Sequence, residues 1–211
     1  SVAEKKWVHI FINQHPGEHY SHYRMLGMFE WLLSDAGRDY AKKSINQFVF
    51  FMSPDAPQHG WYRVNAQGVD MNRSYRAEGS SESEQAHEAF LCQRDLEQLM
   101  GSKNPVTDLW AMHTWGGAVE TIMLPGPEIN ATVGPWTEFR RRIIENDADL
   151  LIEPLKNTTL EGKGVNHWNN GPHIQFGVTT FLCEGAGNIY MIKENLQSEV
   201  GLMESILEYY K

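Results

Sequence analysis

Apolar and polar positions along the chain alternate between two periods. Residues 6–13, Ile45 to Met52, Val106 to His113, Val119 to Leu124 and Val178 to Cys183 are short apolar runs bounded by Gly, Pro, Asn or Ser. Runs of that length with such borders read as buried strands. Other segments follow a helical period. Glu18 to Asp35 places Tyr20, Tyr23, Leu26, Phe29, Leu32 and Leu33 on roughly one face, with Gly27 interrupting and Gly37 ending it. Ser83 to Met100 turns Ala86, Phe90, Leu91, Leu96 and Leu99 inward, and Lys193 to Tyr209 does the same with Leu196, Val200, Met203, Ile206 and Leu207. Trp136 to roughly Leu155 reads as a further helix, its Arg140-Arg141-Arg142 run a solvated face.

A strand, helix, strand order predicts a parallel pair joined by a right-handed crossover. The whole pattern predicts one α/β domain over residues 1–211, with a mixed, mostly parallel, doubly wound sheet of about five or six strands and helices on both faces. Two irregular stretches stand out, Pro54 to Gly79 and Gly162 to Gly171. Loops that long in a compact domain are commonly functional.

Composition narrows the partners. A net charge of -9, from 18 Lys+Arg against 27 Asp+Glu, disfavours nucleic acid and anionic membrane, and no apolar run approaches the length of a spanning helix. Cys92 and Cys183 both lie in apolar patterns, where a free buried thiol is the expected state. The compartment stays open, with the cytoplasm slightly favoured. Asn130-Ala131-Thr132 and Asn157-Thr158-Thr159 match glycosylation acceptors without establishing secretion. The opening Ser-Val-Ala-Glu-Lys-Lys, with neither Met nor signal peptide, leads us to expect a processed or trimmed piece of a longer parent.

Candidate chemistry collects at strand ends. His15-Pro16-Gly17-Glu18 follows the first apolar run, and a tight turn there presents an imidazole and a carboxylate that zinc accepts. His113 ends another run. Alone, His-x-x-Glu is a weak signal that more often belongs to a solvated turn. Arg63, Asn72 and Arg73 stand in the first irregular stretch, where guanidinium and amide groups suit capture of a carboxylate, or where Arg73 simply pairs with Asp70 or another acid. Glu184, at the end of a buried strand before Gly185, is unfavourable there unless paired or used. It is therefore a candidate base, or a structural acid paired with an arginine.

Taken in order, His15-x-x-Glu18, Arg63, Asn72-Arg73, His113 and Glu184 resemble the zinc metallocarboxypeptidase family typified by carboxypeptidase A. His-Pro-Gly-Glu and Gly-Val-Asp-x-Asn-Arg look most like its cytosolic and bacterial branches. The resemblance implies one zinc ion per chain on His15, Glu18 and His113, with water in the fourth place. It implies Glu184 as general base, Arg63 as oxyanion stabiliser, and Asn72 with Arg73 as the grip on a terminal carboxylate, in a peptide substrate cut at its C-terminal amide bond. The related aspartoacylase and succinylglutamate desuccinylase group shares the pattern, so a deacylase of small N-acyl amino acids is the alternative. A non-catalytic module that recognises carboxylates is a third reading, against which the complete ligand set and Glu184 argue.

Two departures from the family pattern stand out. No tyrosine lies between Tyr75 and Tyr190, where digestive members carry a mobile one; His167, Trp168 or His173 could cover the site instead, or each is an ordinary loop residue. The family also places strands and a helix before the first ligand, whereas only fourteen residues precede His15. A short N-terminus implies a missing segment or an exposed sheet edge open to self-association.

Overall fold

The computed structural model describes residues 5–115, 121–123, 135–146, 165–186 and 192–210. Five strands form one sheet: β1 (Trp7–Ile12), β2 (Ser44–Val49), β3 (Asp108–Trp115), β4 (Thr121–Met123) and β5 (Thr179–Ala186). Their order is β2-β1-β3-β5-β4. The first four run parallel, and β4 pairs antiparallel with β5. The helices are α1 (His19–Leu33), α2 (Arg38–Lys43), α3 (Ala56–His59), α4 (His87–Met100), α5 (Pro135–Asn146), α6 (Gly171–Phe176) and α7 (Ile192–Tyr209). No helix among the described residues is long and apolar enough to cross a membrane.

Side chains alternate across each strand, which is why the sheet can be covered on both faces. Phe11, Trp110, Met112, Phe181 and Cys183 face a core built with Met25, Met28 and Trp31 of α1, Phe139 and Ile143 of α5, and Met203 and Ile206 of α7. Val8, Ile10, Ile12 and Leu109 face the opposite core, with Ala89 and Leu96 of α4, Met71, Tyr75 and Trp168. Each large apolar side chain removed from water this way contributes about 1.5–3 kcal/mol. The two cores give the mixed, doubly wound architecture that the apolar runs predict.

Several local expectations need correction. The buried face of α1 is Met25, Met28, Trp31 and Leu32, while Leu26, Phe29 and Leu33 are exposed. Gly27 does not interrupt this helix. A Cβ there would lie 2.0 Å from the Leu196 carbonyl oxygen, so the missing side chain is what lets α7 cross α1 so closely. On α4, Leu96 is buried but Phe90, Leu91 and Leu99 are only half-buried, and the helix begins at His87. The preceding residues spend their polar groups on a turn instead, as Gln85 Oε1 accepts from the Ser81 N–H at 2.7 Å. Strand β2 is an edge strand with only Ser44 buried, not a buried strand. The Gly116-Gly117 break, Pro125-Gly126-Pro127, the extension of α5 to Leu155 and both glycosylation triplets lie outside the described residues.

Candidate metal centre and active site

The site sits at the C-terminal ends of β1, β3 and β5, where an open α/β sheet collects ligands. The register of the parallel pair sets His113 of β3 beside Glu184 of β5, on the same face. His15 and Glu18 arrive from the turn between β1 and α1. Arg63, Asn72 and Arg73 arrive from the long connection before α4, the last two on a 3-10 turn, Met71–Arg73, capped by the Asp70 carboxylate. All seven line one cavity of about 300 Å³, together with Tyr62, Thr114, His167, Asn169 and Leu182.

At its centre His15 Nδ1 lies 2.7 Å from Glu18 Oε1, His113 Nδ1 lies 2.9 Å from Glu18 Oε2, and the two Nδ1 atoms are 3.0 Å apart. All three side chains are buried. The three groups converge closely enough to share one metal ion. The outer nitrogen of His15 tests that fit. Its Nε2 is 3.0 Å from Asp70 Oδ1, so in the neutral imidazole the proton belongs there and Nδ1 presents a lone pair. That lone pair faces a carboxylate oxygen, another acceptor. A cation between the two removes the conflict, as does a second proton on His15, whose imidazole pKa burial lowers but Asp70 and Glu18 raise overall. The donor set, two imidazoles and a carboxylate, is one that zinc takes.

Electrostatics support the same centre. Burial works to raise the Glu18 carboxyl, but hydrogen bonds with His113 and His15 outweigh it and hold the group well below the usual carboxylate range. Burial opposes ionisation of Asp70 as well, yet its contacts with His15 and the nearby arginines lower it to about 2. Arg63 Nε donates to Asp70 Oδ2 at 2.8 Å, and its Nη1 stands 3.8 Å from Glu18 Oε1. The partner of Asp70 is thus Arg63, not Arg73. Arg73 makes no ion pair with an acid among the described residues and donates to the Asn72 carbonyl at 3.0 Å. The Asn72 side-chain oxygen accepts the Trp168 backbone N–H at 3.0 Å, and its NH₂ turns to the cavity, 3.5 Å from His113 Nε2.

Glu184 is half-buried by its side chain's place in the cavity wall and has no hydrogen-bond or ion-pair partner among the described residues. Burial, followed by the opposing pull of His113 and the push of the Glu18 charge, raises its carboxyl above the usual value. An acid that is neither paired nor fully solvated fits a proton acceptor better than a structural ion pair.

Of the three residues expected to cover the site, only His167 lines the cavity. Burial, then the Arg73 charge, lowers its imidazole to about 4, so it is neutral at pH 7. Trp168 is buried, and its indole N–H donates to the Met71 carbonyl at 3.1 Å, fixing the 3-10 turn from below. His173 Nδ1 contacts the Val178 carbonyl and does not line the cavity.

Three contributors were missed from the residues alone. Asp70 orients His15, and its position two residues before Asn72 in the same tight turn was the available signal. Arg24 is buried beneath the site, and its guanidinium donates to the His113 carbonyl. An arginine one residue from Met25 on a helix that packs on a sheet could have flagged it. Thr114 gives its backbone N–H to Glu18 Oε2 at 2.9 Å, a contact no sequence pattern marks.

No protein-family model and no curated protein matches the chain. Solved structures do. A metallo-carboxypeptidase from Burkholderia cenocepacia superposes with a TM-score of 0.80 at 16% identity, over 99% of this chain and 58% of that one. A metallo-carboxypeptidase from Pseudomonas aeruginosa, in complex with (2-guanidinoethylmercapto)succinic acid, gives 0.77 at 18% identity over 100% and 59%. The tripeptide-bound cell shape determinant Csd4 from Helicobacter pylori gives 0.66 at 14% identity over 97% and 51%. The chain thus spans under three-fifths of the length of these proteins, and over that span it has the metallo-carboxypeptidase fold.

Proposed function

We propose that the chain is a zinc-dependent hydrolase of the metallocarboxypeptidase family that cuts the C-terminal amide bond of a peptide. The observation that carries this reading is the convergence on one cavity of a metal-type donor set, an unpaired carboxylate and two arginines with an asparagine. His15, Glu18 and His113 would hold the ion. When bound, zinc supplies Lewis acidity and brings the pKa of a water at the site toward about 7.

The chain's own residues account for the rest. Asn72 and Arg73 bind the terminal carboxylate, which sets the bond to be cut one residue from the end. Arg63, held in place by Asp70, stabilises the negative charge that grows on the carbonyl oxygen. Glu184 takes the proton of the attacking water and delivers it to the departing amine. Its raised affinity for a proton suits that exchange. The tripeptide bound to the Csd4 neighbour supports a peptide as substrate.

A cavity of about 300 Å³ stands at the small end of ligand sites, and this favours the second reading, deacylation of small N-acyl amino acids. The two separate on substrates. With zinc loaded, release of C-terminal residues from a mixed peptide library, abolished by chelation, is the expected outcome. Hydrolysis of N-acyl amino acids with no release from any peptide would replace it by the deacylase.

A further inference from the structure

Tyr62 is a large aromatic residue that the fold holds firmly without burying. Its carbonyl accepts the Gly17 N–H at 2.7 Å, and its ring lies on Gly17, where a Cβ would come within 2.3 Å of Tyr62 Cδ2. The turn that presents His15 and Glu18 therefore carries the ring as well. Any side chain at position 17 would displace it. Yet Tyr62 is 58% exposed and lines the catalytic cavity. Held on one side by glycine, it turns its remaining surface toward whatever enters.

Its place along the cavity follows from its neighbours. Tyr62 directly precedes Arg63 and is bonded through its carbonyl to Gly17, between His15 and Glu18. His167 stands between Asn166, whose side chain donates to the Arg73 carbonyl at 3.0 Å, and Trp168, whose N–H donates to Asn72 Oδ1 at 3.0 Å. Tyr62 thus stands on the flank of the His15–Glu18 turn and His167 on the Arg73 flank. A substrate whose carboxylate lies at Arg73 and whose scissile carbonyl lies at the centre must send its acyl group toward Tyr62.

Resting on the hydrolase reading above, we infer that the Tyr62 ring is the specificity-determining surface for the acyl side of the scissile bond and selects flat, apolar groups there. The ring offers an apolar face beside a charged cavity, and an aromatic or planar acyl group gains from stacking on it. Small acyl groups such as acetyl gain nothing. The hydroxyl is dispensable for this preference.

The test is equilibrium binding of N-benzoylphenylalanine and N-acetylphenylalanine to zinc-loaded protein in a Glu184→Gln background, with Tyr62, Tyr62→Phe and Tyr62→Ala compared. Tyr62 and Tyr62→Phe are expected to bind the benzoyl ligand about tenfold more tightly, the factor that about 1.4 kcal/mol of aromatic contact gives. Tyr62→Ala is expected to lose that ratio while its affinity for the acetyl ligand stays put. A ratio unchanged in Tyr62→Ala, or no benzoyl preference with Tyr62 present, overturns the inference. Turnover by the Glu184 protein is followed separately. Preference without turnover would sink the hydrolase reading and support the ring assignment, whereas turnover with a preference indifferent to position 62 would do the reverse.

Discussion

Histidine meets carboxylate at both ends of the β1–β3 pair, within the strands at one end and partly from the turn after β1 at the other, and the two ends behave differently. At the N-terminal end His9 Nδ1 meets both Asp108 oxygens at 2.9 Å, and the Tyr40 hydroxyl contacts His9 Nε2. Trp110 Nε1 and the Tyr210 hydroxyl each donate to Asp108 at 2.6 Å. Here each acceptor meets a donor, so the network closes on itself and ties α2 and the end of α7 to the sheet. At the C-terminal end His15 and His113 turn their inner nitrogens to the one carboxylate of Glu18, and the outer proton of His15 is already committed to Asp70. Three potential metal donors share one point there, with the Thr114 N–H and Arg63 beside them. Buried polar groups are normally satisfied, so a closed set marks structure and a convergent set short of a cation marks a site.

Substitutions should split along that line. The largest effect is expected from Glu184→Gln, which should lower kcat by about a thousandfold, within the usual range for a lost general base, while metal content and fold persist. Elemental analysis beside steady-state kinetics reads both. Next, Asp108→Ala leaves His9, the Trp110 indole N–H and the Tyr210 hydroxyl without their buried partner. It should destabilise the fold by about 3 kcal/mol or more in denaturant unfolding, without lowering metal content in the folded fraction. An equal loss of metal would mean that the two ends are not independent. Asp70→Asn should weaken metal binding by about 10–100-fold, read as a metal Kd, because the amide orients His15 less well and contributes less to its basicity.

The smallest effect concerns pH. Burial raises the Glu184 carboxyl in the folded chain above its unfolded value, so its protonated form is the one that folding favours. The stability this gives is fully present below the unfolded pKa and is lost as pH rises through the folded one. Metal-free wild type should therefore fall behind Glu184→Gln as pH rises from 4 to 7, in paired unfolding curves, and the gap should close at the acid end.

Much of this was legible in the residues because parallel strands are apolar runs that end abruptly. His15, His113 and Glu184 each stand just where such a run stops, and the register then gathers them. The faces of α1 were not legible, because its sequence carries two apolar stripes. The stripe with Leu26, Phe29 and Leu33 looks stronger, but Ser21, His22 and Arg24 are drawn inward by contacts under the site, which fixes Met25, Met28 and Trp31 as the buried side. Likewise Tyr62 and Asp70 take their roles from loop geometry. Their partners, Gly17 and His15, lie more than forty residues away in sequence.

The most direct measurement is zinc content by elemental analysis of purified wild type, His113→Gln and His9→Gln. The account requires about one zinc per chain in wild type and His9→Gln and almost none in His113→Gln. A wild type that takes up no zinc, or zinc that survives the change at position 113 and is lost with the one at position 9, would contradict it.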